Sequence, residues 1–357
     1  MIYLLLLAGV FMGWSLGTND AANAFGTAVA TGVVKYRHAI WIIAVLVVIG
    51  AFLAGENNID KVAELSTSNE VTASKEAVEN AIANGTVADL RLKSAIKAAI
   101  IFTCAALTVF MMSCLKFPVS ANQSITGAII GWGLFYADYS DPEILAINMP
   151  QIEKFAMTWV INPVGAAIIS FVLVKLVHAF LEKKLTSLAH YDTMIRIGYL
   201  GAGAFASYSI GMNSSANVTA LYYDPFFAST GVAANLLTSA QVTAVIGGIA
   251  IALGVLTYSK KVMMTVGSSI APLNQIEGFV VIIAMALTIV IMGNWMGIPV
   301  STSQAVVGAV IGAGLTKGAK NVQFGVLKRI AVAWVSSPTV AGLMAYLIAW
   351  ASSSYFG

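Results

Sequence analysis

Gly17–Gly26 reads "GTNDAANAFG", directly behind the apolar run "MIYLLLLAGVFMGWSL" of Met1–Leu16. The run asks for a membrane as its solvent. The stretch then places an aspartate, two asparagines and a threonine between glycines. A bare polar backbone does not survive in lipid, so such a stretch must line a cavity or be covered by protein. The fold therefore depends on what surrounds Asp20.

The whole chain supports the membrane reading. Of its 357 residues 59% are hydrophobic and only 10% charged, with a mean hydropathy of +0.85. A soluble domain carries about 25% charged residues. Apolar segments run over 2–34, 38–55, 94–115, 118–135, 156–181, 197–221, 231–258, 276–297, 299–316 and 327–352. They are continuous rather than alternating, which predicts an all-α polytopic protein and not a β-barrel. "MIYLLLLAGV" lacks the basic start of a signal peptide, so Asp20 is expected in the mature protein. Cys104 and Cys114 lie in one apolar run and read as packing residues. The first segment, 33 residues, would reach about 50 Å as one helix against a core of about 30 Å. A break near Gly17 is expected to resolve the excess.

Charge sets the sidedness. Lys35 and Arg37, Lys183, Lys184 and Arg196, Lys260 and Lys261, and Lys317, Lys320, Lys328 and Arg329 form basic clusters. The stretches 56–93 and 136–155 are acidic. The positive-inside rule places the basic clusters in the cytoplasm of a multi-pass cell-membrane protein. Both termini and the amphipathic stretch 56–93 then fall outside.

The sequence also repeats. "PVSANQSITGAIIGWG" (Pro118–Gly133) and "PVSTSQAVVGAVIGAG" (Pro299–Gly314) agree at nine of sixteen positions. "GTNDAAN" at Gly17 is echoed by "GMNSSAN" at Gly211, and "WVINP" at Trp159 by "WVSSP" at Trp334. Three motif pairs in one order imply a duplication, 1–190 and 191–357. The sidedness makes its halves inverted. Inverted repeats with interrupted helices are the architecture of many secondary transporters, with substrate near the midplane. Each "PVS" is expected at the tip of a re-entrant hairpin rather than in a full crossing, because Ser and Gln face lipid poorly.

The chemistry of the four motifs is that of an ion site. Behind each proline come Ser120, Gln123 and Ser124, or Ser301, Thr302, Ser303 and Gln304. Free N–H groups at a helix start, joined by hydroxyls, suit an anion such as a tetrahedral oxyanion. Small polar residues also help helices pack, but four paired motifs favour a site. Asp20 stands as the one acidic residue well inside an apolar segment, and an ionised carboxylate there costs at least about 2.5 kcal/mol without a partner. No arginine lies well inside an apolar run; Lys116 is the cation beside a "PVS" motif, and Lys175 can snorkel. Oxygens of Asp20 and Asn23, with Asn217 from the second half, are the hard donors that an alkali cation accepts. The pattern points to cation-coupled anion symport.

These motifs resemble the PiT family of inorganic phosphate transporters, over nearly the whole chain; "TYSKKVMMTVGSSIAPLNQIEGF" (Thr257–Phe279) also looks like the family's link into its second hairpin. The resemblance implies phosphate uptake driven by sodium or, in many bacterial members, by protons or as a metal–phosphate complex; some members carry sulfate. It implies sodium roles for Asp20, Asn23, Asn217, Ser120 and Ser301. Phosphate roles fall to Ser120, Gln123, Ser124, Asn213, Ser301, Thr302 and Ser303. The sequence departs from the family at Ser214, where an aspartate is usual, so the second half offers a neutral oxygen. Sodium is expected as the co-transported ion, since His38, His178 and His190 sit at or near segment ends and form no proton relay. No other cofactor and no nucleic-acid partner is expected; a homo-oligomer is compatible with the sequence. An intramembrane enzyme would need a nucleophile with its base, and a channel a continuous polar lining. Neither pattern is present.

Overall fold

The computed structural model describes residues 2–56, 58–59, 80, 82–136, 149–181, 188–222, 239–268, 270–296 and 300–353. The ordered elements are helical. They are α1 (Ile2–Ala30), α2 (Tyr36–Ala54), α3 (Val87–Cys114), α4 (Ala121–Tyr136), α5 (Met149–Leu181), α6 (Leu188–Ser214), α7 (Ala216–Thr219), α8 (Ala240–Tyr258), α9 (Lys260–Ser268), α10 (Gln275–Met296), α11 (Thr302–Leu315) and α12 (Phe324–Ala351). Among the described residues α2, α3, α5, α8, α10 and α12 contain spans long and apolar enough to cross a membrane. Most of the stretches 56–93 and 136–155 lies outside the described residues.

One expectation fails. α1 runs through the "GTNDAAN" motif without a break, 29 residues and about 43 Å. Its polar side chains find partners on neighbouring helices, so the backbone has no need to open. Gly17 serves packing instead: a Cβ there would stand 2.0 Å from the Ile251 carbonyl oxygen of α8. The matching motif in the second half is interrupted, α6 ending at Ser214 and α7 beginning at Ala216. Cys104 is buried as expected, whereas Cys114 is exposed.

The turns at Pro118–Ser120 and at Val300 and Ser301 form hairpin tips. α11 is 14 residues long, about 21 Å, and α4 is 16 residues, about 24 Å, both short of a 30 Å core. Both start from buried serines, Ser120 and Ser301. The second hairpin closes on itself at its base. Lys317, beyond α11, lies 2.7 Å from Glu277 in the first turn of α10, and the Gln323 N–H donates to the Ile270 carbonyl. Both ends of 275–315 thus share one face.

Helices of the first 190 residues pack on helices of the remainder. α4 lies along α12 and α11 along α5; α1 lies along α8 and α6 along α2. The pattern is consistent with inverted halves. Small residues make the close crossings, as helices in lipid require. Gly127 and Gly131 of α4 meet Pro338 and Gly342 of α12, while Gly308 and Gly312 of α11 meet Pro163 and Ala167 of α5. A Cβ at Gly131 would stand 1.9 Å from the Gly342 oxygen, and one at Gly312 would stand 2.1 Å from the Ala167 oxygen. Pro338 leaves the Trp334 carbonyl without its helical donor, and the Ser337 hydroxyl donates to it at 3.4 Å.

Replacing Gly131 or Gly312 by leucine forces these backbones apart. Each change is expected to destabilise by about 1–3 kcal/mol, read as a lower thermal unfolding midpoint of the detergent-solubilised protein. Gly201→Leu, with open space at its Cβ, is the control expected to move little.

Candidate functional site

The tips are held by asparagines. In α1, Asn19 accepts from the Val119 N–H at 3.1 Å and donates to the Phe117 carbonyl at 3.0 Å and to the Ser113 hydroxyl. In α6, the equivalent Asn213 accepts from the Val300 N–H at 3.0 Å and donates to the Val300 carbonyl at 2.8 Å. A carboxamide carries a donor and an acceptor on one short arm, so it can stand in for a missing stretch of backbone partner. The sequence assigned Asn213 to substrate; its side chain is committed to the tip. Asn19 was not singled out, although its place in the repeat was the available signal.

A second pair of contacts ties each tip to the other half. The Asn162 amide of "WVINP" donates to the Ser301 carbonyl at 2.7 Å. The Trp334 indole of "WVSSP" donates to the Pro118 carbonyl at 3.1 Å. The sequence showed this third motif pair only as a repeat; its use is to brace the opposite tip.

The predicted ligands gather between the tips. Asp20, 3% exposed, accepts from Asn23 at 3.2 Å and from the Ser303 hydroxyl at 3.3 Å, and the Ser214 hydroxyl faces it from the second half. The Asn23 amide also reaches the Thr302 and Ser303 hydroxyls, at 3.0 and 3.2 Å. At the equivalent position Asn217 donates to Asn122, which lies in α4 where Ser303 lies in α11. Asn122 is a further residue that sequence reasoning passed over. Ser120 and Ser301 cap α4 and α11, each hydroxyl accepting from the N–H three residues on, at 3.2 Å. The Ser124 hydroxyl turns back to the Ser120 carbonyl.

Several buried oxygens of the repeated motifs lack a protein partner: Oδ1 of Asn23 and of Asn162, and Oε1 of Gln123 and of Gln304. A buried polar atom without a hydrogen bond costs about 1–3 kcal/mol. An ion or ligand is one way such an atom finds the missing contact. Glu277 is the buried carboxylate that sequence reasoning missed. It is 0% exposed and sits on Lys317, 2.7 Å away, with His178 at 3.8 Å and a reciprocal capping box with Asn274. The pattern Asn274-x-x-Glu277 was its sequence signal. Glu277 therefore has its counter-charge, whereas among the described residues Asp20 has no ion-pair partner.

Known proteins point the same way. A family model described as "Phosphate transporter family" matches residues 16–345. A Pyrococcus horikoshii protein named "Putative phosphate permease PH0640" is 28% identical, covering 97% of this chain and 96% of that protein. The sulfate permease CysP of Bacillus subtilis is 27% identical, with 96% of this chain and 86% of that one covered. A solved structure, "The sodium-dependent phosphate transporter", superposes with a TM-score of 0.76 at 23% identity over 99% of both chains, which shows a shared fold.

Asn19→Ala and Asn213→Ala each leave a buried N–H and a carbonyl at a tip without partners. Each is expected to lower stability by about 1–3 kcal/mol and to speed amide exchange at 117–120 or 300–303, followed by hydrogen-exchange mass spectrometry. Unchanged exchange at both tips would contradict the clamp.

Proposed function

The chain belongs to the phosphate transporter family, and on that premise we propose that it is a secondary transporter carrying inorganic phosphate by sodium symport. The observation that carries this reading is Asp20: a buried carboxylate between two hairpin tips, with only neutral hydroxyl and amide groups as neighbours. A charge at such depth needs compensation, and a co-bound cation supplies it. Asp20, Asn23 and Ser303 stand together as hard-oxygen donors of the kind alkali cations take. The hydroxyls of Thr302 and Ser303, the N–H groups that begin α4 and α11, and the Gln123 and Gln304 amides offer donors to an oxyanion. In this reading Asn213 positions the tip and Asn217 pairs with Asn122, and neither need touch phosphate directly.

Charge arithmetic sets the coupling. Asp20 and a monoanionic phosphate together carry two negative charges, so two sodium ions bring the site to neutrality. Ser214 supplies a neutral oxygen beside Asp20, and no second carboxylate raises that requirement. Sodium and phosphate then bind with positive cooperativity, each raising the other's affinity by linkage. The name of the structural neighbour supports sodium as the partner ion. We place the two halves at 1–190 and 191–357 on the motif repeat, and their inversion, the basic face in the cytoplasm and both termini outside on the charge asymmetry. A second reading is sulfate transport, favoured by the sulfate permease among the relatives and by a site whose neutral donors accept either oxyanion.

Uptake into proteoliposomes tests both. Phosphate accumulation that saturates and follows an imposed sodium gradient is the expected result; equal rates in sodium and choline would refute sodium coupling. Sulfate in tenfold excess is expected to inhibit weakly, and full inhibition would favour the second reading. Asp20→Asn is expected to lower sodium-driven uptake at least a hundredfold, about 2.7 kcal/mol or more of lost coupling, while the variant elutes as a folded protein.

A further inference from the structure

The end of α3 on the basic face carries two features with no part in the transport site. One is a cavity of about 630 Å³ lined by Lys116, Lys260 and Lys261 together with Thr257, Tyr258 and Thr265, with no carboxylate among the described residues of its wall. The other is an apolar groove of about 390 Å³ along α3, walled by Leu107, Met111 and Cys114 and, across from them, by Val340 and Met344 of α12. The two adjoin. Cys114 of the groove lies 3.9 Å from the Tyr258 hydroxyl of the cavity, and the Phe110 and Tyr258 rings are 5.8 Å apart. Leu107, Met111 and Leu115 are all more than 40% exposed.

The backbone holds one of these lysines at a cost. Lys116 has φ +67°, and among the described residues no other non-glycine residue has positive φ. It occupies the position after a helix end, with the Lys116 N–H bonded to the Ser113 carbonyl and the Phe117 N–H to the Met112 carbonyl. Glycine is the usual occupant there because it has no Cβ to strain. A lysine kept at a glycine position, in a wall of lysines, indicates a use for its charge. The other two are oriented by aromatic rings. Lys261 donates to the Tyr258 hydroxyl at 2.8 Å, and Lys260 lies 5.8 Å from the centre of the Tyr36 ring.

We propose that this cavity and groove bind one anionic phospholipid, its headgroup among Lys116, Lys260 and Lys261 and an acyl chain along α3. A basic pocket between membrane helices is the expected form of such a site. The adjoining apolar groove favours a lipid over a free oxyanion, which would have no use for it. Three lysines and no carboxylate among the described wall residues favour an anionic headgroup over a zwitterionic one. Lys116 is followed by Phe117, whose carbonyl Asn19 holds, so a lipid bound here restrains the strand that leads into the first tip.

The test uses the full-length protein in nanodiscs of phosphatidylcholine, with and without phosphatidylglycerol, and native mass spectrometry to count retained lipid. Each surface lysine contributes about fivefold to anionic-lipid affinity. The wild type is expected to retain phosphatidylglycerol and to unfold at a higher temperature with it. Lys116→Gly relieves the backbone and should fold well, yet retain several-fold less phosphatidylglycerol. Adding Lys260→Ala and Lys261→Ala should lower retention more than tenfold, and arginine at 260 and 261 should restore it. Equal retention by Lys116→Gly and the triple variant overturns the proposal. So does stabilisation by inorganic phosphate in phosphatidylcholine alone that vanishes in the triple variant, because that outcome makes the cavity a soluble-oxyanion site.

Discussion

A chain that interrupts its helices inside a membrane must find protein partners for the backbone groups it frees, because lipid offers none. The structure meets this constraint twice with one device, the asparagine third in the motifs at Gly17 and Gly211. Asn19 and Asn213 each give an amide and a carbonyl to the backbone of a hairpin tip. With the tips fixed, the caps Ser120 and Ser301 can begin α4 and α11 in the interior. Their helix starts then point into a protein-walled space rather than into lipid.

The tips are braced across the halves as well as within them. Asn162 and Trp334 each hold the tip of the other half, and the glycine crossings of α4 on α12 and α11 on α5 bring those braces close. The site is thus an interface. Asn23 reaches Thr302 and Ser303, and Asn217 reaches Asn122.

The two halves are not equal in charge. Asp20 and Ser214 hold matching places in the two motifs and face each other, so one carboxylate stands where the motifs meet. Glu277 is equally buried, but Lys317 and His178 attend it at the base of the second hairpin. Among the described residues the centre offers no such cation to Asp20. That contrast separates a carboxylate matched by the protein from one that the described residues leave unmatched.

Much of this was legible in the sequence. Hydropathy determined the helical membrane class, because a 30 Å apolar slab sets segment length and composition directly. The paired motifs marked the tips and most of the central residues, because a duplicated site leaves its polar signature twice. Three things needed the tertiary structure. The continuity of α1 did, since whether a polar motif breaks a helix depends on partners such as Ser113 and Ser303, which lie far off in the chain. The roles of Asn19, Asn122, Asn162, Asn213 and Trp334 did, since an amide that could face a ligand or a backbone looks the same in one dimension. So did the pairing of Glu277 with Lys317, forty residues apart, because only the fold of the second hairpin brings its base together.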